Sequence, residues 1–279
     1  MSGDQNGDDR SRLRDHVHGG TFVHSDGPQP NADNVVVLIH GVGLDHTLWQ
    51  AQVSHLKDQF HIVRYDMIGH GKSAHPPGTR ELGDFVRQLH QLLMNLGLSR
   101  AAVIGFSMGG LVARAFAAAH PEMTKKLVLM NTVFRRSETE QKAVDARYAL
   151  AKSGGLQEGI EAAVRRWFSP KFIAAHPDVI QTIEERLRNN DAVGYLNAYR
   201  VFATNRDPAE NPLPIGCPTL VMTGELDSGS TPAMTHQLAA AIPGAHAEVL
   251  SGLRHMALQE DPARVNIVLN QFLEDGTAD

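Results

Sequence analysis

Cysteine is almost missing from this chain: Cys217 stands alone among 279 residues, which excludes an intramolecular disulfide and a thiolate zinc cluster. Set between Gly216 and Pro218 at the start of an apolar run, it reads as a buried filler. No apolar run approaches the roughly 18 residues needed to cross a bilayer, so no membrane partner is expected. Positive charge is not in excess. Lys and Arg number 26 against 31 Asp and Glu, and without a basic stripe nucleic acid is not an expected partner either. The first residues lack the basic start and apolar core of a secretory signal, and no N-x-S/T sequon occurs. The expectation is a cytoplasmic protein. H-E-x-x-H is absent and His16 and His18 are isolated, so no metal is expected. There is no internal repeat and no low-complexity segment.

What is present suits one large α/β domain with room for an inserted subdomain. Residues 1–15 are polar and read as a disordered tail. His16 to His24 suggests a weak strand pair, turning at Gly19-Gly20 or Gly27-Pro28. Asn34 to His40 is apolar without alternation, as a strand covered on both faces should be. Thr47 to Asp58 reads as a helix, His61 to Asp66 as a strand, and Glu81 to Leu96 as an amphipathic helix with Gly97 as its C-cap. Strands follow at 101–104, 126–130, 219–224 and 247–250, with helices at 232–241 and 261–273. Strand-helix alternation means a mostly parallel sheet wrapped on both faces. It is interrupted between 134 and 207 by helices alone (138–151, 156–167, 178–189, 192–204). The core is therefore assigned to 16–133 and 208–279, and 134–207 to a helical lid over the sheet's C-terminal edge, where ligands bind.

At that edge stands Gly105-Phe106-Ser107-Met108-Gly109, strand before and helix after. In this setting G-x-S-x-G reads as a nucleophile elbow, against the plainer reading of an ordinary strand-helix turn. The serine occupies a cramped backbone position, so its neighbours two residues away must be small. A serine hydroxyl needs a base, and the base needs a carboxylate to orient it. The loops after later strands supply Asp227 and His255. Asp227 might be read as a helix cap, but Thr231 already fills that position. Glu225 is the competing carboxylate. His255 is one of 15 histidines, singled out by its place after the last strand. An oxyanion hole would draw one N–H from Met108 and one from Val42 in His40-Gly41-Val42-Gly43, unless those glycines serve only a tight turn.

These motifs, with Trp49, Asp66-Met67-Ile68-Gly69-His70-Gly71-Lys72-Ser73 and Gly229-Ser230-Thr231-Pro232, resemble the α/β-hydrolase fold family from about residue 20 to 274. The texture from His40 to Ser73 is similar to bacterial 3-oxoadipate enol-lactonases and related carboxylesterases. The family's dehalogenases and epoxide hydrolases carry aspartate where Ser107 stands. Its C–C hydrolases usually show tryptophan after the histidine, where this chain has Met256. Its perhydrolases tend to have an aromatic residue and proline where Val42 and Gly43 stand.

The resemblance implies a serine hydrolase with Ser107 as nucleophile, His255 as base and Asp227 as its acid, needing no cofactor. The expected partner is a small-molecule ester or lactone, with Phe106, Trp49, Met130 and Trp167 as apolar pocket walls and a homo-oligomer left open. Alternatives are a C–C or amide hydrolase with the same triad, and a ligand receptor on a hydrolase scaffold. Gly69-His70-Gly71 is set aside as a dinucleotide fingerprint, since Pro76-Pro77 stands where its helix should begin. Arg135, Arg136, Arg165 and Arg166 in the helical block are read mainly as a solvated face, with contact to a substrate carboxylate as the alternative.

Overall fold

The computed structural model describes residues 15–154, 156–207 and 211–275. Among them eight strands build one sheet: β1 (Asp15–His18), β2 (Thr21–Asp26), β3 (Val35–Ile39), β4 (His61–Tyr65), β5 (Ala101–Phe106), β6 (Thr124–Met130), β7 (Thr219–Gly224) and β8 (His246–Leu250). Their order across the sheet is β1-β2-β4-β3-β5-β6-β7-β8. β2 pairs antiparallel with β1 and β4, and every other pairing is parallel. The first hairpin turns at Gly19-Gly20, both at positive φ. The tail expected over 1–15 is corrected at its end, because Asp15 pairs with His24 in the β1–β2 ladder; the rest of it lies outside the described residues.

The unbroken apolar strands have the predicted cause. In β3, Val35, Val37 and Ile39 pack into one core layer, and Val36 and Leu38 into the other. The first layer is closed by α2 (Leu82–Asn95), α3 (Met108–Ala119) and α9 (Pro232–Ala241), and the second by α1 (Gln50–Leu56) and α11 (Pro262–Glu274). Each large aliphatic side chain buried this way contributes about 1.5–3 kcal/mol. The helix expected over Thr47–Asp58 splits into a 3-10 turn at His46–Trp49 and α1. Gly97, at φ +67°, ends α2 as expected.

Five helices, not four, stand between β6 and β7: α4 (Glu138–Lys152), α5 (Leu156–Trp167), α6 (Pro170–Ala175), α7 (Pro177–Arg188) and α8 (Ala192–Thr204). Helix α6 is too short to show a period. Ser169 caps it by accepting from Phe172 N–H, and Pro177 at the start of α7 closes it. Short α10 (Ala257–Glu260), before α11, escapes a sequence reading for the same reason. The inserted helices join the core closely: a Cβ on Gly194 in α8 would stand 2.3 Å from the Gly69 carbonyl oxygen.

Asp66-to-Ser73 ties the antiparallel edge to this frame. Buried Asp66 accepts from His46 N–H and Nδ1 and from Lys72 N–H, each at 2.8 Å. Ser73 Oγ donates to Asp66 O at 2.6 Å and accepts from Phe22 N–H. A Cβ on Gly71 would fall 2.2 Å from Asp66 Oδ2. These contacts account for the motif as a structural knot between strands and loop.

Candidate active site

The sheet register aligns the strand ends. Ile39 pairs with Gly105, Phe106 with Met130, Met130 with Met222, and Gly224 with Leu250. Residues directly after β3, β5, β6, β7 and β8 therefore emerge at one edge. Ser107 follows β5 at φ 55° and ψ -116°, a strained conformation for a residue with a side chain. The surroundings hold it there. Its N–H donates to Met130 O at 2.9 Å, and its carbonyl accepts from Gly110 N–H and Thr132 Oγ1 at 3.0 and 2.7 Å.

The glycines on either side are required by contact. A Cβ on Gly105 would lie 2.2 Å from Gly109 O, and one on Gly109 would lie 2.3 Å from Ile39 O. The turn is thus wedged against β3. Met108 opens α3, so its N–H is among those that have no partner within the helix. Across from it, Gly41 leaves only 3.1 Å between a notional Cβ and Ser107 Cβ. Gly41 and Val42 both face the cavity. His40 supports their loop from below: Nδ1 donates to Gly41 O at 2.8 Å and Nε2 accepts from Met67 N–H at 2.9 Å. Burial pushes the His40 imidazole down from its usual pKa, which keeps it neutral in that role.

Asp227 and His255 meet as the sequence suggested, with His255 Nδ1 2.7 Å from Asp227 Oδ2. Burial opposes ionisation of Asp227, but the His255 charge and hydrogen bond and the donors around it hold its pKa below the ordinary carboxylate value. Those donors are Gly229 and Ser230 N–H on Oδ1, at 2.8 and 3.0 Å, and Asn131 Nδ2 on Oδ2, at 2.9 Å. An ionised carboxylate only accepts, so Nδ1 carries the imidazole proton and Nε2 is left as an acceptor. Thr231 caps α9 through Met234 N–H. Glu225 turns to solvent instead, accepting from Ser251 Oγ and Gly252 N–H.

One cavity is lined by Ser107, Asp227 and His255 together with Gly41, Val42 and side chains of α4, α5, α7 and α8. Phe106 and Trp167 belong to its wall, their rings 5.1 and 5.9 Å from the His255 ring. Trp49 and Met130 do not, and the sequence expectation for them is corrected. Both are fully buried on the second core layer, and Trp49 packs edge-on behind Phe106. Strand alternation in β6 aims Met130, and the 3-10 turn aims Trp49, into the core beneath the pocket floor.

Of the four arginines weighed from sequence, Arg166 alone lines the cavity, and Arg147 joins it from α4. Arg165 is exposed beside Glu161. Arg136 lies over the Phe202 ring and donates to the Phe202 carbonyl. Asn131, Arg147, Tyr195 and Tyr199 are site residues that sequence reasoning missed. Asn131 had a signal, a polar residue directly after a buried strand at the edge that carries Ser107. The α4 and α8 residues had none, since only packing decides which helix face meets the cavity. No group of three or more His, Cys, Asp or Glu that could hold a metal occurs among the described residues, and none of their helices is long and apolar enough to cross a membrane.

Comparison with known proteins agrees with the fold. The model of a family described as the alpha/beta hydrolase fold matches residues 34–262. An (E)-2-((N-methylformamido)methylene)succinate hydrolase of Acinetobacter baylyi is 32% identical over 240 residues, 86% of this chain and 90% of the relative. A 3-oxoadipate enol-lactonase of the same organism is 28% identical over 246 residues, covering 88% of each. The crystal structure of the enol-lactonase from Burkholderia xenovorans superposes with a TM-score of 0.85 at 29% identity, over 94% of this chain and all of that one.

Proposed function

Because the chain belongs to the alpha/beta hydrolase fold family, we propose that it is a serine hydrolase cleaving a small carboxylic ester or lactone through an acyl-enzyme on Ser107. The observation that carries this reading is the strained Ser107 on the same cavity wall as a buried His255–Asp227 pair 2.7 Å apart. The relatives named as enol-lactonases support the bond class.

Each step follows from the tautomer and the free N–H groups. Ser107 Oγ attacks the carbonyl carbon while His255 Nε2 takes its proton. Asp227 holds the imidazole in place and balances the imidazolium charge. The tetrahedral oxyanion is met by the N–H groups of Met108 and Val42, and one such donor is worth about 3–4 kcal/mol at the transition state. Collapse expels the alcohol, or opens the lactone ring, with the proton returned from His255 to the leaving oxygen. Water, deprotonated by His255, attacks the acyl carbon and releases Ser107. Protein groups and water supply every proton, so the cycle needs no cofactor.

A short p-nitrophenyl ester tests the reading. Turnover is expected in the parent and a loss on the order of 10⁴-fold or more in Ser107→Ala. Turnover unchanged by that substitution, or absent in the parent, sinks it. A second reading, amide-type C–N cleavage by the same residues, is favoured by the relatives named N-methylformamido-methylene-succinate hydrolase and putative carbamate hydrolase. A panel pairing each ester with its amide, read against the same control, decides between them.

A further inference from the structure

The cavity is charged against the trend of the chain. The chain as a whole carries -5, yet the ionisable groups on the cavity wall, among the described residues, are Arg147, Arg166, Asp227, His255 and two tyrosines. Asp227 is committed to His255. Four other helix-block arginines have carboxylate partners: Arg165 with Glu161, Arg186 with Asp45, Arg188 with Glu184 and Arg200 with Glu81; Arg136, outside the cavity, lies on the Phe202 ring and carbonyl instead. Arg147 and Arg166 have none among the described residues, and Arg166 spends only Nη1, on the Ala162 carbonyl.

Two guanidiniums on one half-enclosed wall repel each other and lose part of their hydration. Burial, then the nearby Arg147 charge, pulls the Arg166 pKa below its ordinary value. That cost is unexplained by folding, because neither cation completes an ion pair that holds the helices together. It is recovered when an anion enters. Charge-assisted, forked guanidinium contacts to a carboxylate are among the stronger hydrogen bonds and gain from partial desolvation. Much of the remaining wall is apolar, with Ile160, Ala163, Leu187 and Phe202. That profile suits a short hydrocarbon segment with a carboxylate at one end and the scissile carbonyl at the other.

We propose that Arg147 and Arg166 form a carboxylate-binding end of the cavity, so that the substrate is an anionic ester or lactone held by the two guanidiniums while its carbonyl lies at Ser107. This rests on the serine-hydrolase reading for the carbonyl end only; anion capture stands on its own. Two measurements keep the failures apart.

The first is calorimetric titration of Ser107→Ala with adipate and with adipamide, its uncharged counterpart. Adipate is expected to bind at least tenfold more tightly, and Arg147→Gln or Arg166→Gln, added singly to that background and checked for folding by circular dichroism, is expected to remove most of the difference. The second is kcat/KM in the parent for two matched pairs of aryl esters, one with a free or methyl-capped carboxyl on the acyl chain, one with it on the leaving group. In at least one pair the anion is expected to be favoured tenfold or more, with the ratio falling about tenfold in each Gln variant, retained in part by Arg166→Lys, and reversed by Arg147→Glu. Equal binding of adipate and adipamide, or ratios that ignore the arginine changes, overturns the carboxylate end and leaves the hydrolase reading intact. If no ester turns over but adipate is selected through the arginines, the hydrolase reading falls and the anion site stands.

Discussion

Asn131 Nδ2 donates to Asp227 Oδ2 at 2.9 Å, onto the same oxygen that faces His255 Nδ1 at 2.7 Å. The strand register explains the meeting: Asn131 follows β6, and its own N–H is anchored on Met222 O of β7. Asn131 sits at φ 49°, a conformation that asparagine tolerates better than most residues. One residue thus links the serine strand's neighbour to the carboxylate that meets His255.

Removing that donor should weaken the proposed mechanism without abolishing it. Asn131→Gly keeps the left-handed backbone available and deletes the side chain, its contact with Thr223 Oγ1 included. A hydrogen bond to a charged group is worth about 1.5–3 kcal/mol, so kcat is expected to fall about tenfold or more. Burial already opposes ionisation of Asp227, and with one donor fewer its pKa rises. The acid limb of the kcat/KM profile should therefore move to higher pH. An unmoved limb with an unchanged rate would remove Asn131 from the positioning role.

The two carboxylates after β7 give a sharper contrast. Asp227 is buried against His255, whereas Glu225 is exposed and bridges Ser251 and Gly252. Asp227→Asn places an amide where the imidazole needs an acceptor, and kcat is expected to drop by about 10³–10⁴. Glu225→Gln keeps the shape of a surface loop contact, and kcat is expected within about twofold of the parent. The reverse pattern in ester hydrolysis would reassign the acid.

The parts of this site that the sequence discloses are those set by the backbone. Ser107 was legible because G-x-S-x-G reflects real clashes, with Gly105 and Gly109 each closer than 2.4 Å to a carbonyl oxygen if given a Cβ. Asp227 and His255 were legible because unbroken apolar strands mark where each loop must surface. Trp49 and Met130 were misread because both are large, apolar and close in sequence to the motifs, while strand and helix facing turns them into the core. Arg147 and Arg166 illustrate the remaining limit. They differ from exposed Arg165 only in which side of α4 or α5 meets the cavity, and packing between distant segments decides that. Helix α6, six residues long, is too short for a period to emerge.

Acid should unfold this protein partly through its buried histidines. His70 is fully buried against His40, and burial pushes its pKa down to about 3. A histidine with a folded pKa below its unfolded value takes up its proton mainly on unfolding. Its contribution to stability is present above about pH 6.5 and is lost as pH falls toward 3. Between pH 6.5 and 5 that amounts to about 2 kcal/mol. The melting temperature should fall across this interval, and His70→Leu should make the fall shallower by about one proton's linkage. A parallel slope in parent and variant would dismiss His70 as the titrating group.

The seam between the core and the inserted helices offers a test that does not depend on chemistry. Arg114 on α3 and Asp207 after α8 are both nearly buried and lie 2.5 Å apart, and the second Asp207 oxygen accepts from the Arg135 N–H. Arg135 itself is at φ 48°, at the point where the chain leaves β6 for α4. Asp207 thus clamps both ends of the insertion onto α3. Asp207→Asn leaves the Arg114 charge buried without its partner, a loss of about 3–5 kcal/mol. For a chain of this length each kcal/mol lowers the melting temperature by roughly 2–4 °C, so a drop of about 6 °C or more is expected. An apolar pair in place of both charges, Arg114→Met with Asp207→Leu, removes the orphaned cation and should recover part of that drop. The double variant still lacks the acceptor for Arg135 N–H, so recovery should stay incomplete. If Asp207→Asn melts within a degree of the parent, the clamp contributes nothing and the insertion is held by its apolar contacts alone.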